Sequence, residues 1–104
     1  MIIIQVCEYI TYAFQILGRK WNGIIINSMN QCPNCVTSFS ELKDNIEHIT
    51  PKALSLKLTE LIEFGVIEKV ILNENQPAKY RLTEKGISLA KSLDSIHTWA
   101  KNYM

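Results

Sequence analysis

The sequence predicts a mainly α domain that carries a small β-hairpin wing late in the chain. Three observations predict it. Apolar residues recur at helical spacing in five segments. Glycine and proline punctuate the gaps, at Gly18, Gly23, Pro33, Pro51, Gly65, Pro77 and Gly86. One β-branched run, Val66 to Leu72, is followed by turn residues and a second short run. A length of 104 residues without linker, repeat or low-complexity tract fits one domain spanning residues 1–104. Hydrophobic residues make up 47% and the net charge is only +1, so the chain can bury a core and disorder is excluded. The same balance excludes a strongly basic, tail-driven nucleic-acid binder. Contact with phosphate has to come from charge sorted onto one face.

The first helix is expected from about Val6 to Leu17, where Cys7, Ile10, Phe14 and Leu17 share a stripe. The second runs from about Lys20 to Asn30, with Trp21, Ile24, Ile25 and Met29 on one side. Asn30 to Thr37, containing Cys32-Pro33-Asn34-Cys35, reads as a loop. Ser38 stands three residues before Glu41, a capping box, and Phe39, Leu42 and Ile46 then lie on one face of a short third helix. Glu47, His48 and Ile49 make a turn. Thr50-Pro51 opens the fourth helix, with threonine as N-cap and proline at the first helical position. Its core stripe is Leu54, Leu58, Leu61 and Ile62, and Gly65 ends it. Strands are expected at Val66 to Leu72 and Ala78 to Leu82, around the turn Asn73-Glu74-Asn75-Gln76-Pro77. Thr83 caps a last helix that runs to the end.

In that last helix Leu89, Leu93, Ile96, Ala100 and Tyr103 form a heptad-like seam. The seam fits packing within one monomer or, as favoured here together with the apolar N-terminus, a homodimer interface. The N-terminus MIIIQVCEYI has no basic residue before it and no small-residue cleavage site after it, so it does not read as a signal peptide. No apolar stretch is long enough to span a membrane. Three cysteines are too few for a disulfide scaffold and fit a reducing compartment, so a cytoplasmic protein is expected.

Helix, helix, short helix, tight turn, helix, hairpin, helix is the order of a winged helix-turn-helix, whose fourth helix would lie in a DNA major groove. Opposite the core stripe that helix carries Lys52, Ala53, Leu56, Thr59, Glu60 and Glu63, with Ser55 and Lys57 on the flanks. Its N-terminal half thus holds lysine and serine, and its acids lie at the far end. Leu56 is either an apolar contact for a thymine methyl or a singly exposed leucine. The hairpin carries Lys69, Asn73, Asn75, Lys79 and Arg81, which read as backbone or minor-groove contacts, or as a solvated ribbon balanced by Glu68 and Glu74. Arg19 and Lys20 read either as phosphate contacts or as plain surface charge. Residues 50 to 85 hold six basic and five acidic side chains, so arrangement rather than total charge carries this reading.

The segments ILGRKWNGIII, FSEL, ITPKALSLKLTELIEFGVIEK and YRLTEKG, in this order, resemble the HxlR-type (DUF24) bacterial winged-helix regulators, relatives of the MarR group. The resemblance runs from about Cys7 to Ala100. It implies a dimeric DNA-binding transcriptional regulator whose N- and C-terminal helices form the dimer. It also implies that Thr50, Pro51, Lys52, Ser55, Leu56 and Lys57 face DNA, with Lys57 where many members have arginine. The wing tip LNENQPAKY looks about one residue shorter than in many members and lacks one of their prolines, which weakens the carry-over of wing contacts.

Several members carry a cysteine just before the first helix that senses oxidants or quinone-like electrophiles, and Cys7 matches that position. Such chemistry needs an accessible thiolate, which a helix N-terminus favours and the neighbouring Glu8 opposes. The family's Cys-Pro pair is Cys-Glu here, and no cysteine lies near the C-terminus. The other reading of Cys7 is a small apolar residue on a buried stripe. Cys32 and Cys35 form a C-x-x-C pair that the resemblance does not cover. It lacks the βαβ setting of a thioredoxin site, and with only His48 nearby it is half a zinc site. A reversible loop disulfide and plain loop residues both remain open.

No metal, cofactor or catalytic constellation is expected, since His48 and His97 stand alone. The expected function is a homodimeric regulator, a repressor in its simplest form. Its partner would be a pseudo-palindromic double-stranded operator, read through successive major grooves. Lys69, Lys79, Arg81 and Asn75 would steady the wings on the backbone. The alternative is a winged-helix protein-interaction module without specific DNA binding.

Overall fold

The computed structural model describes residues 1–104. Five helices and a three-stranded sheet follow one another in the order α1 (Glu8–Leu17), α2 (Asn22–Asn30), a short 3-10 turn (Pro33–Cys35), β1 (Val36–Ser38), α3 (Phe39–Asn45), α4 (Pro51–Glu63), β2 (Ile67–Val70), β3 (Lys79–Leu82) and α5 (Glu84–Tyr103). No helix is long and apolar enough to cross a membrane.

Local capping sets most of these boundaries. The hydroxyls of Ser38, Thr50 and Thr83 accept the N–H groups of Glu41, Ala53 and Gly86, which satisfies one orphan donor at the start of α3, α4 and α5. α4 ends as the glycine predicts. Gly65 has a φ of 79°, and the N–H groups of Val66 and Gly65 donate to the carbonyls of Leu61 and Ile62, a Schellman closure. Gly86 is needed for a different reason. A Cβ there would lie 1.9 Å from the Val66 carbonyl oxygen, so only glycine lets α5 settle against the end of α4.

The core gathers around α2. Ile25, Ile26 and Met29 are fully buried and meet Leu42, Ile46, Ile49, Leu54, Leu58, Leu61, Val66, Ile67, Leu82 and Ala90. Burying side chains of this size contributes about 1.5–3 kcal/mol each against conformational entropy. Helix α2 departs from the expected pattern, because Trp21 adopts a left-handed φ of 78° at its N-cap and the helix begins at Asn22. That start points Ile26 inward and leaves Ile24 exposed. Ile62 likewise lies outside the core stripe of α4, on the exposed side.

The hairpin is part of a larger sheet. Val36 and Thr37, expected to be loop, form a third strand with Ser38, and the order is β1-β3-β2 with all pairs antiparallel. Val36 pairs with Arg81 and Ser38 with Lys79, while Ile67 pairs with Leu82 and Glu68 with Arg81. The strands β2 and β3 are shorter than the apolar runs suggested, and residues 71–77 form an exposed wing tip.

A polar hub ties α1, α2 and α4 together. Asn22 is fully buried, and its side-chain nitrogen donates to the Ile16 carbonyl at 2.9 Å and to Glu60 Oε1 at 2.8 Å. The other carboxylate oxygen of Glu60 meets Arg19 at 3.2 Å and Lys57 at 3.6 Å. The Arg19 guanidinium also lies over the Phe64 ring, 5.1 Å from its centre. Glu60, expected on the solvated face, is thus turned inward with its side chain 20% exposed. Arg19 is engaged within the protein instead of being free for phosphate. A second tie comes from Lys85, whose amine donates to the Tyr12 hydroxyl at 2.6 Å and to the Phe64 carbonyl at 2.7 Å.

Partial burial pushes the Glu60 carboxyl up. Hydrogen bonds from Asn22 and Arg19, with the charges of Lys57 and Arg19, outweigh burial and hold it below its ordinary value. With the folded value depressed, the unfolded chain binds more protons as the pH falls. The contribution of Glu60 is then full above the unfolded value, near pH 4.3, and is lost as pH falls through the folded one. Glu60→Gln should cost about 1–2 kcal/mol of stability at pH 7, and the gap to wild type should narrow below about pH 4. Urea unfolding at pH 7 and pH 3.5 measures both values, and an unchanged gap would dismiss Glu60 as the titrating group.

Candidate nucleic-acid interface

α4 presents one face to the core and one to solvent. Leu54, Leu58 and Leu61 are buried, which fixes the helix in rotation. The opposite side then exposes Lys52, Ser55, Leu56 and Thr59, with Thr50 and Pro51 exposed at the N-terminal end. Leu56 is 60% exposed, too far from the core to serve packing. No acidic side chain stands in the first turn. An exposed helix N-terminus with lysine and serine beside it suits a polyanion, since the lysine charge and the helix dipole favour negative charge. Lys57 differs from Lys52: it points back toward Glu60 with only 20% of its side chain exposed.

The wing supplies a second set of groups. Lys69 and Asn75 are exposed, and Lys79 is half-buried on β3 beside β1. The tip folds on itself: the Asn75 N–H donates to Asn73 Oδ1 and the Gln76 N–H to the Asn73 carbonyl, both at 3.0 Å. Arg81 is half-exposed but donates through Nε to Glu68 Oε1 at 2.9 Å, its cross-strand partner. The wing thus carries two free cations and one already paired. Ile71 and Leu72 stand exposed at its base.

Two further features belong to the predicted set. Leu89 and Leu93 of α5 pack on the core, whereas Ile96 (50% exposed), Trp99 (64%) and Tyr103 (77%) do not, and Ala100 is half-buried. Ile2, Ile3, Ile4, Val6, Tyr9, Ile10 and Phe14 are also exposed. Cys7 is not on a buried stripe. It is exposed and serves as the N-cap of α1, with its sulfur accepting the Ile10 N–H at 3.5 Å. Cys32 and Cys35 are free and half-buried. No group of three or more His, Cys, Asp or Glu side chains is placed to hold a metal ion.

The arrangement missed in the sequence is the Arg19–Asn22–Glu60–Lys57 hub, which withdraws two predicted cations from the outer surface. Its only sequence signal is an asparagine just before the apolar run Ile24-Ile25-Ile26, where a buried amide demands partners.

Comparison with known proteins agrees with this architecture. The HTH-type transcriptional regulator YodB of Bacillus subtilis is 34% identical over 99 residues, covering 93% of this chain and 85% of that protein. A structure of reduced YodB superposes with a TM-score of 0.80 at 30% identity, over 95% of each chain. The quinone-bound form of YodB gives 0.78 at 31% identity, over 94% of this chain and 100% of that one. The family model for the HxlR-like helix-turn-helix matches residues 16–104. The chain therefore belongs to the HxlR-like helix-turn-helix family and is a DNA-binding transcriptional regulator.

Proposed function

We propose that this regulator binds a pseudo-palindromic double-stranded operator as a cytoplasmic homodimer, each protomer placing α4 in a major groove. One observation carries the reading: α4 is locked into the core along Leu54, Leu58 and Leu61, and its opposite face frees Lys52, Ser55 and Leu56 at the N-terminal end. Recognition helices enter the groove by that end. Thr50 and Pro51 approach the backbone there. Lys57 reaches DNA only by giving up Glu60, so Lys52 carries more of the contact. Lys69, Lys79 and Asn75 hold the backbone from the wing, and Arg81 shares its charge with Glu68. Such contacts position the protein, while base edges and the thymine methyl give specificity.

The exposed seam of α5 and the apolar N-terminal segment supply the dimer surface. Ile96, Ala100 and Tyr103 continue the line of Leu89 and Leu93 beyond the protomer's own core, with Trp99 beside them. An apolar surface this extended marks an interaction site in a soluble protein. Its two-fold pairing would set two α4 helices about one DNA turn apart.

Cys7 is the proposed sensor. Its sulfur is exposed and caps the N-terminus of α1, where an electrophile in solution can reach it. A quinone adds there by forming a carbon–sulfur bond, with the ring taking the electron pair and a proton. YodB itself has been seen in quinone-bound and diamide-treated forms.

Fluorescence anisotropy across a salt series on DNA from the chain's own upstream region tests the core of this reading. A preference of about 10³ or more over a scrambled duplex is expected, with a steep salt slope. Lys52→Ala should weaken binding to every sequence and lower that slope by about one. An unchanged slope removes Lys52 from the phosphate contacts. Ile96→Asp should shift the sedimenting species from dimer to monomer, and a persistent dimer would place the interface elsewhere. Treatment with a benzoquinone should change operator affinity of wild type by about tenfold and leave Cys7→Ser unaffected, with the adduct mapped to Cys7. An equal response of both proteins would rule out Cys7 as the sensor.

A further inference from the structure

We propose that Cys32 and Cys35 form a dithiol–disulfide couple, a second oxidation site that is separate from Cys7 and built into the turn that launches β1. Four observations support it, and none depends on the operator reading. First, the two cysteines are positions one and four of a single tight turn, closed by the Cys35 N–H donating to the Cys32 carbonyl at 2.9 Å. Pro33 stands at its second position and Asn34 at its third, with φ 57° and ψ 17°. Such a turn brings its end Cα atoms within about 7 Å, which overlaps the range of about 4.4–6.8 Å that a disulfide spans. Second, each thiol has only a weak partner: Cys32 Sγ donates to the Ser28 carbonyl at 3.4 Å and Cys35 Sγ lies 3.9 Å from Asn30 Oδ1. Closure costs two long contacts and needs side-chain rotation rather than a new fold.

Third, the two sulfurs differ in access. Cys32 lines an open cavity of about 380 Å³ together with Ser28, Gln31, Thr37, Glu41 and Asn45. Cys35 is absent from that wall and packs against the apolar core. A small, polar, water-soluble oxidant therefore reaches Cys32 first, and Cys35 stands behind it as the resolving thiol. Fourth, Cys35 itself has a left-handed φ of 57°, a conformation that residues with a Cβ rarely adopt. The residue after it, Val36, begins β1 and pairs with Arg81, and Ser38 caps α3. The oxidation state of the turn is thus set at the base of both the sheet and the helix preceding α4.

The oxidant class is a hydroperoxide, with hydrogen peroxide as the probe. The Cys32 thiolate attacks one peroxide oxygen; the sulfur–oxygen bond forms, the oxygen–oxygen bond breaks, and the departing hydroxide takes up a proton as water. The Cys35 thiolate then attacks the sulfenic sulfur. The disulfide bond forms, the sulfur–oxygen bond breaks, and a second water leaves. Two thiols and one peroxide give one disulfide and two waters, with two electrons passing from sulfur to oxygen.

The test uses the full chain carrying Cys7→Ser, so that only this pair can react. Peroxide treatment followed by alkylation under denaturing conditions should yield a monomeric species on a non-reducing gel. It should be lighter than the reduced protein by two hydrogens, take up no alkylating agent, and regain both thiols on reduction. In the same background Cys35→Ser should leave a Cys32 sulfenic acid that dimedone traps about tenfold more than Cys35 in the Cys32→Ser protein. Two alkylatable thiols after peroxide, a disulfide between chains, or sulfinic acid on Cys32 beside a free Cys35 would each overturn the couple. Equal dimedone labelling of both single variants would overturn the assigned order of attack.

Discussion

The buried side chain of Asn22 is the constraint on which the rest of the molecule depends. It sits in the first turn of the central helix with no exposed surface, and one nitrogen serves both the end of α1 and the carboxylate of Glu60 on α4. A buried amide without partners costs more than a hydrogen bond between partners contributes, so the three helices are held to one relative placement. Arg19 and Lys57 complete the site by neutralising Glu60, and Phe64 gives the Arg19 guanidinium a flat surface to cover. Lys85 adds a second tie, from Tyr12 of α1 to the carbonyl of Phe64, the C-cap of α4. The exposed face of α4 is therefore set by its interior contacts rather than by anything on the face itself.

This arrangement explains how a chain of net charge +1 can serve as a DNA-binding regulator. The cations of the hub, α4 and the wing fall into two groups. Arg19, Lys57 and Arg81 face carboxylates within the protein, where they hold helices and strands in place. Lys52, Lys69 and the half-buried Lys79 have no such partner and stand on α4 and the wing. Counting charges along the chain merges the two groups, and the near-balance of residues 50 to 85 then understates the positive face. Under the proposed reading, what a phosphate meets is the unpaired subset together with the dipole of α4.

The parts legible in the sequence are those decided by neighbours in sequence. The threonine and serine caps, the Schellman glycine and the wing turn each depend on partners within six residues, and each is found where the residues point to it. The parts not legible depend on distant partners. β1 is three residues long and gains its identity only by pairing with β3 in the second half of the chain, so Val36-Thr37-Ser38 has no pattern of its own. Glu60 looks like a surface acid because Asn22 lies 38 residues away. The exchange of Ile24 for Ile26 in the core follows from the left-handed backbone at Trp21, which periodicity counted through a continuous helix cannot register. The seam of α5 is legible only as a line: Leu89 and Leu93 face the protomer's own core and Ile96 and Tyr103 do not, a division set by where the globular body ends.

The hub also restricts how any change at the start of α1 can reach DNA. A modification alters affinity only if its two states hold the DNA-reading surfaces differently. Within one protomer α1 and α4 are joined at Asn22, Arg19 and Lys85, so moving one against the other would break a buried hydrogen bond and an ion pair together. The N-terminal end of α1, by contrast, is exposed from Cys7 to Thr11, ahead of the tie at Tyr12. Under the proposed dimer, that end lies where two protomers meet. The least costly response to a change at Cys7 is then a shift of one rigid protomer against its partner, which alters the spacing of the two α4 helices without remodelling either.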